Sequence, residues 1–179
     1  MRVRLRKVFL AWQHEKEEQW LRELSAKGLA LVGVGFCSYE FEDCDPGEYV
    51  VRLELLKNWP THPESRKYIQ FVEEMGAQHI GSLMRWVYFR KKTADGDFDL
   101  FSDLDSKCAH FSRIALLMAP ISLFNIIVAV NNILLGIGHG FHGNLYIGLF
   151  GMVIGAILLY GTVRVLLHRR KLNKTRVIQ

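Results

Sequence analysis

The chain has 179 residues, half of them apolar, with 23 Lys and Arg against 18 Asp and Glu. All the acidic residues lie between Glu15 and Asp105, so the part up to Cys108 carries 16 basic and 18 acidic residues, net −2, and the seven basic residues beyond it have no acidic neighbour. The basic balance therefore does not belong to a folded nucleic-acid-binding surface, and no nucleic-acid partner is expected.

The N-terminal part reads as an α+β domain. Met1 to Ala11 mixes Arg2, Arg4, Arg6 and Lys7 with apolar residues and has no secretory h-region, which predicts a cytosolic location. Cys37, Cys44 and Cys108 suit reduced thiols and match no zinc spacing. Alternation predicts a strand over Arg2–Leu10, and the spacing of Trp20, Leu21 and Leu24 predicts a helix over His14–Lys27 that Gly28 ends. Strands follow over Leu29–Gly35 and Ser38–Cys44, then an Asp45-Pro46-Gly47 turn and a strand over Glu48–Leu56. Thr61-His62-Pro63-Glu64 has capping-box spacing and opens a helix in which Tyr68, Ile69, Val72 and Met75 face inward and which Gly76 ends. Strands over Ala77–Leu83 and Met84–Lys92 close the domain.

This order is strand–helix–strand–strand, twice. A shift of 48 positions lays Val3-Arg4-Leu5 on Val51-Arg52-Leu53, Gly28 on Gly76, Gly33 on Gly81 and Phe41 on Phe89. The spacing predicts a duplicated βαββ unit with an antiparallel sheet and both helices on one face. Val3, Leu5, Val51, Leu53, Tyr39, Phe41, Val87 and Phe89 are then expected toward the helices. Arg4, Arg52, Glu54, Trp86 and Tyr88 fall on the opposite face, a candidate surface for a small amphipathic ligand or a protein partner. The element order resembles the duplicated module of the gyrase-inhibitor-like ligand-binding domains.

Residues 93–113 join two materials. Phe98, Phe101, Leu104 and Phe111 recur near helical spacing among Asp97, Asp99, Asp103 and Asp105, predicting an amphipathic helix on the membrane surface rather than a calcium site. Residues 114–167 then read as a two-span transmembrane hairpin, with spans over 114–135 and 145–167 that are long enough at ~1.5 Å per residue to cross a hydrocarbon core. Pro120 is expected in the first turns of the first span. Asn125 should face the other helix, and Gly148, Gly151 and Gly155 line a side of the second span that packs on the first or on a homodimer partner. Lys107 and Arg113 precede the spans, Arg164, Arg169, Arg170, Lys171, Lys174 and Arg176 follow near or beyond their end, and the loop 136–144 holds no Lys or Arg. The asymmetry predicts an inner or plasma membrane protein with both termini cytosolic, the loop outside and a basic tail over 168–179. His139 and His142 of that loop supply too few ligands for a metal, and neither a metal nor a cofactor is expected.

The segments EKEEQWLRELSAKG, PGEYVVRLELL, EEMGAQHIGSLMRWVYFRKK and DFDLFSDLDSK together resemble an uncharacterised bacterial membrane-protein family, the domain-of-unknown-function family 2812. The resemblance implies C-terminal spans, frequent encoding beside PadR-like regulators and a signalling or regulatory role, and it brings no catalytic residues. No nucleophile elbow, P-loop, zinc set or dinucleotide fingerprint occurs, so a non-enzymatic, membrane-tethered sensory module is the leading expectation. An accessory subunit of a membrane complex such as an exporter is the alternative, and an enzyme using His14 or His62 stands behind both.

Overall fold

The computed structural model describes residues 2–101, 103–140 and 142–178, without the side chains of residues 139 and 175–178. The chain divides into two compact units, Met1–Asp103 and Leu104–Gln179. The fold class is α+β followed by a helical hairpin.

In the first unit the order is β1 (Arg2–Arg6), a 3-10 turn (Ala11–Gln13), α1 (His14–Ser25), β2 (Leu29–Gly35), β3 (Ser38–Asp43), β4 (Tyr49–Leu55), α2 (Pro63–Glu74), β5 (Gln78–Leu83) and β6 (Trp86–Lys92). Helix α1 ends where Gly28 takes φ +82°, a left-handed conformation in which a Cβ would also sit 3.0 Å from the Cys44 carbonyl oxygen. Helix α2 starts one residue later than the capping box implies: His62 is the N-cap, its Nδ1 accepts from the Glu64 amide at 3.3 Å, and Pro63 takes the first turn.

The strands form two antiparallel sheets, ordered β1-β3-β2 and β4-β6-β5, instead of one. Strands β2 and β5 run beside each other without sharing a ladder. Each carries a register shift at the same place, between Leu31 and Gly33 and between His79 and Gly81. A shift of this kind adds twist and breaks pairing. The Arg90 guanidinium then takes the Leu31 carbonyl at 2.9 Å, an acceptor that a continuous ladder would have used, and also bonds Gln78 at 2.8 Å and Glu42 at 3.2 Å.

Register decides which faces are buried. Leu53 lies opposite Tyr88 and Arg52 opposite Phe89, so Val51, Leu53, Trp86 and Tyr88 share one face of the second sheet and Val87 and Phe89 the other. The first group packs with Leu21, Leu24, Leu31, Tyr39 and Phe41 in a core built around α1. Val87 and Phe89 pack with Leu56, Val72, Ala77 and Phe98 in a second core under α2. The expected grouping of Val51 and Leu53 with Val87 and Phe89 is therefore corrected: the period of two makes a one-residue offset exchange the faces. Both sides of the second sheet are covered. Its outer edge is also covered, because Glu18 of α1 accepts the Leu53 amide of β4 at 2.8 Å.

In the second unit, α3 (Leu104–His139) and α4 (His142–Ile178) pack side by side, and each is long and apolar enough to cross a membrane. Both helices extend beyond the expected spans, so most of the expected loop 136–144 is helical and the connection passes through Gly140 at φ +68°. His142 opens α4 and is exposed, while the side chain of His139 lies outside the described residues. Pro120 is inside α3, not in its first turns, because the helix begins at Leu104.

Candidate functional site

The α1 sequence places His14, Glu17, Leu21 and Leu24 on its buried stripe, at steps of three and four residues. Two of these four positions are polar. Glu17 is only 7% exposed, and its Oε1 accepts from both the Tyr39 and the Tyr88 hydroxyls, each at 2.8 Å. The two tyrosines come from the central strands of the two sheets, β3 and β6, so one carboxylate oxygen ties both sheets to α1. Burial raises the Glu17 pKa above the usual carboxylate range, and the two hydroxyls partly offset it. Burial and the Glu17 charge push both phenols up, which keeps them as donors.

Above this carboxylate opens a cleft of about 320 Å³. Its walls are the β1–α1 connection from Lys7 to Ala11, the first turn of α1, the β2–β3 turn at Phe36-Cys37 and the β5–β6 turn at Met84, with Tyr39, Trp86 and Tyr88 at its base. His14 lies against Trp86 with ring centres 5.7 Å apart, and Phe9 meets Tyr39 edge-on at 6.4 Å. Lys7 Nζ sits 4.7 Å from the Trp20 ring and 5.0 Å from Phe9 at the mouth. The rim is apolar and open to solvent, with Phe36 at 85% and Met84 at 68% exposure. Each hairpin turn also holds a non-glycine residue at positive φ, Cys37 at +52° and Met84 at +56°. Such backbone costs about 1–2 kcal/mol per residue and persists where the surroundings enforce it. A buried acceptor at the base of an aromatic, apolar-rimmed recess can orient a small molecule that presents a donor or a positive charge. Among the described residues no group of three His, Cys, Asp or Glu side chains is placed to hold a metal.

The five residues expected on one ligand face are separated by the fold. Trp86 and Tyr88 line the cleft. Arg52 and Glu54 project from the other side of β4, where the Arg52 Nη1 is 3.7 Å from Glu18 and the buried Glu54 accepts from the Tyr68 hydroxyl of α2. Arg4 lies in the first sheet and pairs with Glu40 on an exposed surface. Glu17, Phe9 and Phe36 were not singled out by the sequence reading. Glu17 was detectable as a charge at an inward position of the Trp20–Leu24 helix, whereas Phe36 gains its place only from the turn.

The amphipathic helix expected over 93–113 is also absent as such. A 3-10 turn occupies Thr93–Asp95, Phe98 is buried in the core under α2, and Leu100 packs against the same core. The Asp99 Oδ1 accepts the Phe101 amide at 3.1 Å, a local turn that competes with helix. Leu104 begins α3, where it is half-buried, and Phe111 is buried and stacks on His168 of α4 at 4.7 Å.

In the second unit the glycine face packs within the hairpin. A Cβ at Gly148 would lie 2.8 Å from the Ala129 carbonyl oxygen and one at Gly155 would lie 2.7 Å from Ile126 Cγ1, while Gly151 faces the Ala129 methyl at 3.3 Å. Ser122 donates to the Gly155 carbonyl at 3.2 Å across the same contact. Asn125 does not reach across: its Nδ2 donates to the Ile121 carbonyl of its own helix at 3.2 Å.

The family model described as "Protein of unknown function (DUF2812)" matches residues 13–123, more than half of the chain. The chain belongs to this family. The matched region includes α1, both cores and the cleft walls from His14 onward, together with the first part of α3. No curated protein and no solved structure matches.

Proposed function

We propose that this member of the family is a membrane-tethered sensory module. Its N-terminal unit takes a small amphipathic molecule in the cleft above Glu17, and α3 and α4 cross the bilayer of a bacterial inner or plasma membrane. The observation that carries the reading is a buried, tyrosine-held carboxylate at the base of a cleft with an aromatic base and an apolar rim. A purely structural acid would gain nothing from an open recess above it, and the exposed apolar side chains Phe36 and Met84 sit together at the same cleft, the clustering that marks an interaction site. The charge asymmetry around the helices supports cytosolic termini and an outer connection at Gly140. The same apolar rim also favours a second reading, in which a transcription regulator or a membrane-complex subunit docks there.

The test uses the full-length protein in detergent or nanodiscs, titrated with aromatic amphipaths matched in shape and differing in charge. Saturable quenching of tryptophan fluorescence that Trp86→Phe abolishes and a raised melting temperature are expected, strongest for compounds with an amine or other donor. Glu17→Gln should weaken binding by roughly tenfold or more, the scale of a charge-assisted hydrogen bond in a dry site. If no compound shifts either signal and a purified partner protects the rim instead, the docking reading replaces the ligand one.

A further inference from the structure

We propose that α3 pairs in parallel with α3 of a second copy, through a seam formed by Ile121, Asn125, Val128, Asn132 and Leu135. These positions advance by four, three, four and three residues, the spacing that winds two helices into a left-handed pair. All five lie to one side of the stripe that α3 buries against α4. Ile121, Val128 and Leu135 are 48%, 40% and 37% exposed, and the two asparagines are half-buried.

The asparagines identify the occupant. Each Nδ2 donates to the carbonyl four residues back, Asn125 to Ile121 at 3.2 Å and Asn132 to Val128 at 2.9 Å. That bond uses one amide hydrogen and fixes the side-chain plane. Among the described residues neither amide makes a second hydrogen bond, which leaves one hydrogen and the oxygen of each for a partner. In hydrocarbon an unmade amide bond is costly, and lipid tails offer neither donor nor acceptor. A carboxamide is both donor and acceptor, so its best partner is another carboxamide. Two copies with one topology, related by a two-fold axis along the membrane normal, bring Asn125 to Asn125 and Asn132 to Asn132 in successive layers. The glycine face of α4 is already filled by α3, so it does not compete for the second copy. Leu123, Ile127 and Leu134, on the opposite side of α3, are exposed and apolar, as lipid-facing residues should be.

This inference rests on α3 spanning the membrane, and the experiment separates the two. In the full-length protein with Cys37, Cys44 and Cys108 changed to Ser, single cysteines replace Ile121, Val128 or Leu135 on the seam and Ile127 or Leu134 outside it. Membranes are first washed with alkaline carbonate and then oxidised. Retention in the pellet with disulfide-linked dimer at the seam positions alone is the expected result. Adding Asn125→Leu and Asn132→Leu to the Val128→Cys protein should lower the dimer yield about tenfold, since an interhelical amide bond contributes a modest amount at each layer. Retention without seam-selective linking, or linking that the two leucines leave unchanged, overturns the dimer and leaves the membrane reading standing. Release by carbonate overturns both.

Discussion

Glu18 shows how a single half-buried carboxylate ties stability to pH. It caps the free edge of β4 by accepting the Leu53 amide, with Arg52 beside it, and burial pushes its pKa up to about 7. Unfolded, the group returns to about 4.5. Between these values the folded chain holds a proton that the unfolded chain has lost, so the favourable contribution is complete below about 4.5 and disappears as pH rises through about 7. Urea unfolding should accordingly show lower stability at about pH 8 than at about pH 5, and Glu18→Gln should flatten that slope while its amide oxygen still accepts from Leu53. An unchanged slope in the variant would remove Glu18 as the cause and point to Glu17, whose pKa is raised in the same direction. Of these two neighbouring acids, Glu17 was legible by position on the helix stripe, whereas the role of Glu18 depends on a strand edge that no local pattern marks. Arg90 is similar: the sequence shows one basic residue in a strand, and only the meeting of β2, β3 and β5 around it gives it the Leu31 carbonyl, Glu42 and Gln78 as partners.

At the scale of elements, periodicity located every strand and the two helices of the first unit to within a few residues, because alternation and the glycine stops at Gly28 and Gly76 are local signals. The relative register of β4 and β6 was not local, and an error of one residue there moved Trp86 and Tyr88 from an outer surface into a cleft. The glycine spacing of α4 suggests a packing face on the first span or on a second copy, and in the structure Gly148, Gly151 and Gly155 all lie against α3. That contact makes a sharp prediction. Gly148→Leu places a side chain against the Ala129 carbonyl and Ile133, both within 3 Å of a Cβ, and should destabilise the hairpin by about 1–3 kcal/mol or more. Gly143→Leu, with nothing within 4 Å, should have little effect. Unfolding of the full-length protein in mixed micelles by added SDS checks the pair, and an equal gain in both variants would mean that helix propensity, not packing, governs the result.

For the whole molecule the informative error is the domain boundary. The sequence placed it after Lys92, where strand alternation stops and apolar residues begin to recur at helical spacing beside a membrane segment. The structure places it at Asp103, because Phe98 returns to fill the core under α2 beside Val72, Val87 and Phe89. Nothing local distinguishes an aromatic ring that covers its own domain from one that lies on lipid; the difference is a tertiary contact. The two boundaries have different consequences. A fragment of residues 1–103 should fold cooperatively without α3 and α4, since both cores are complete within it. A fragment of residues 1–92 loses the Phe98 ring, which is 8% exposed in the intact core, and should be less stable by about 3–5 kcal/mol, the usual cost of deleting a buried phenylalanine. Phe98→Ala in the longer fragment should reproduce most of that loss, and denaturant titration followed by far-UV circular dichroism measures all three. If the two fragments unfold at the same midpoint, Phe98 does not support the core and the earlier boundary is the functional one. If the longer fragment alone is well folded, residues 93–103 work as a strap that belongs to the N-terminal unit, held there by Phe98 and Leu100 on the core under α2.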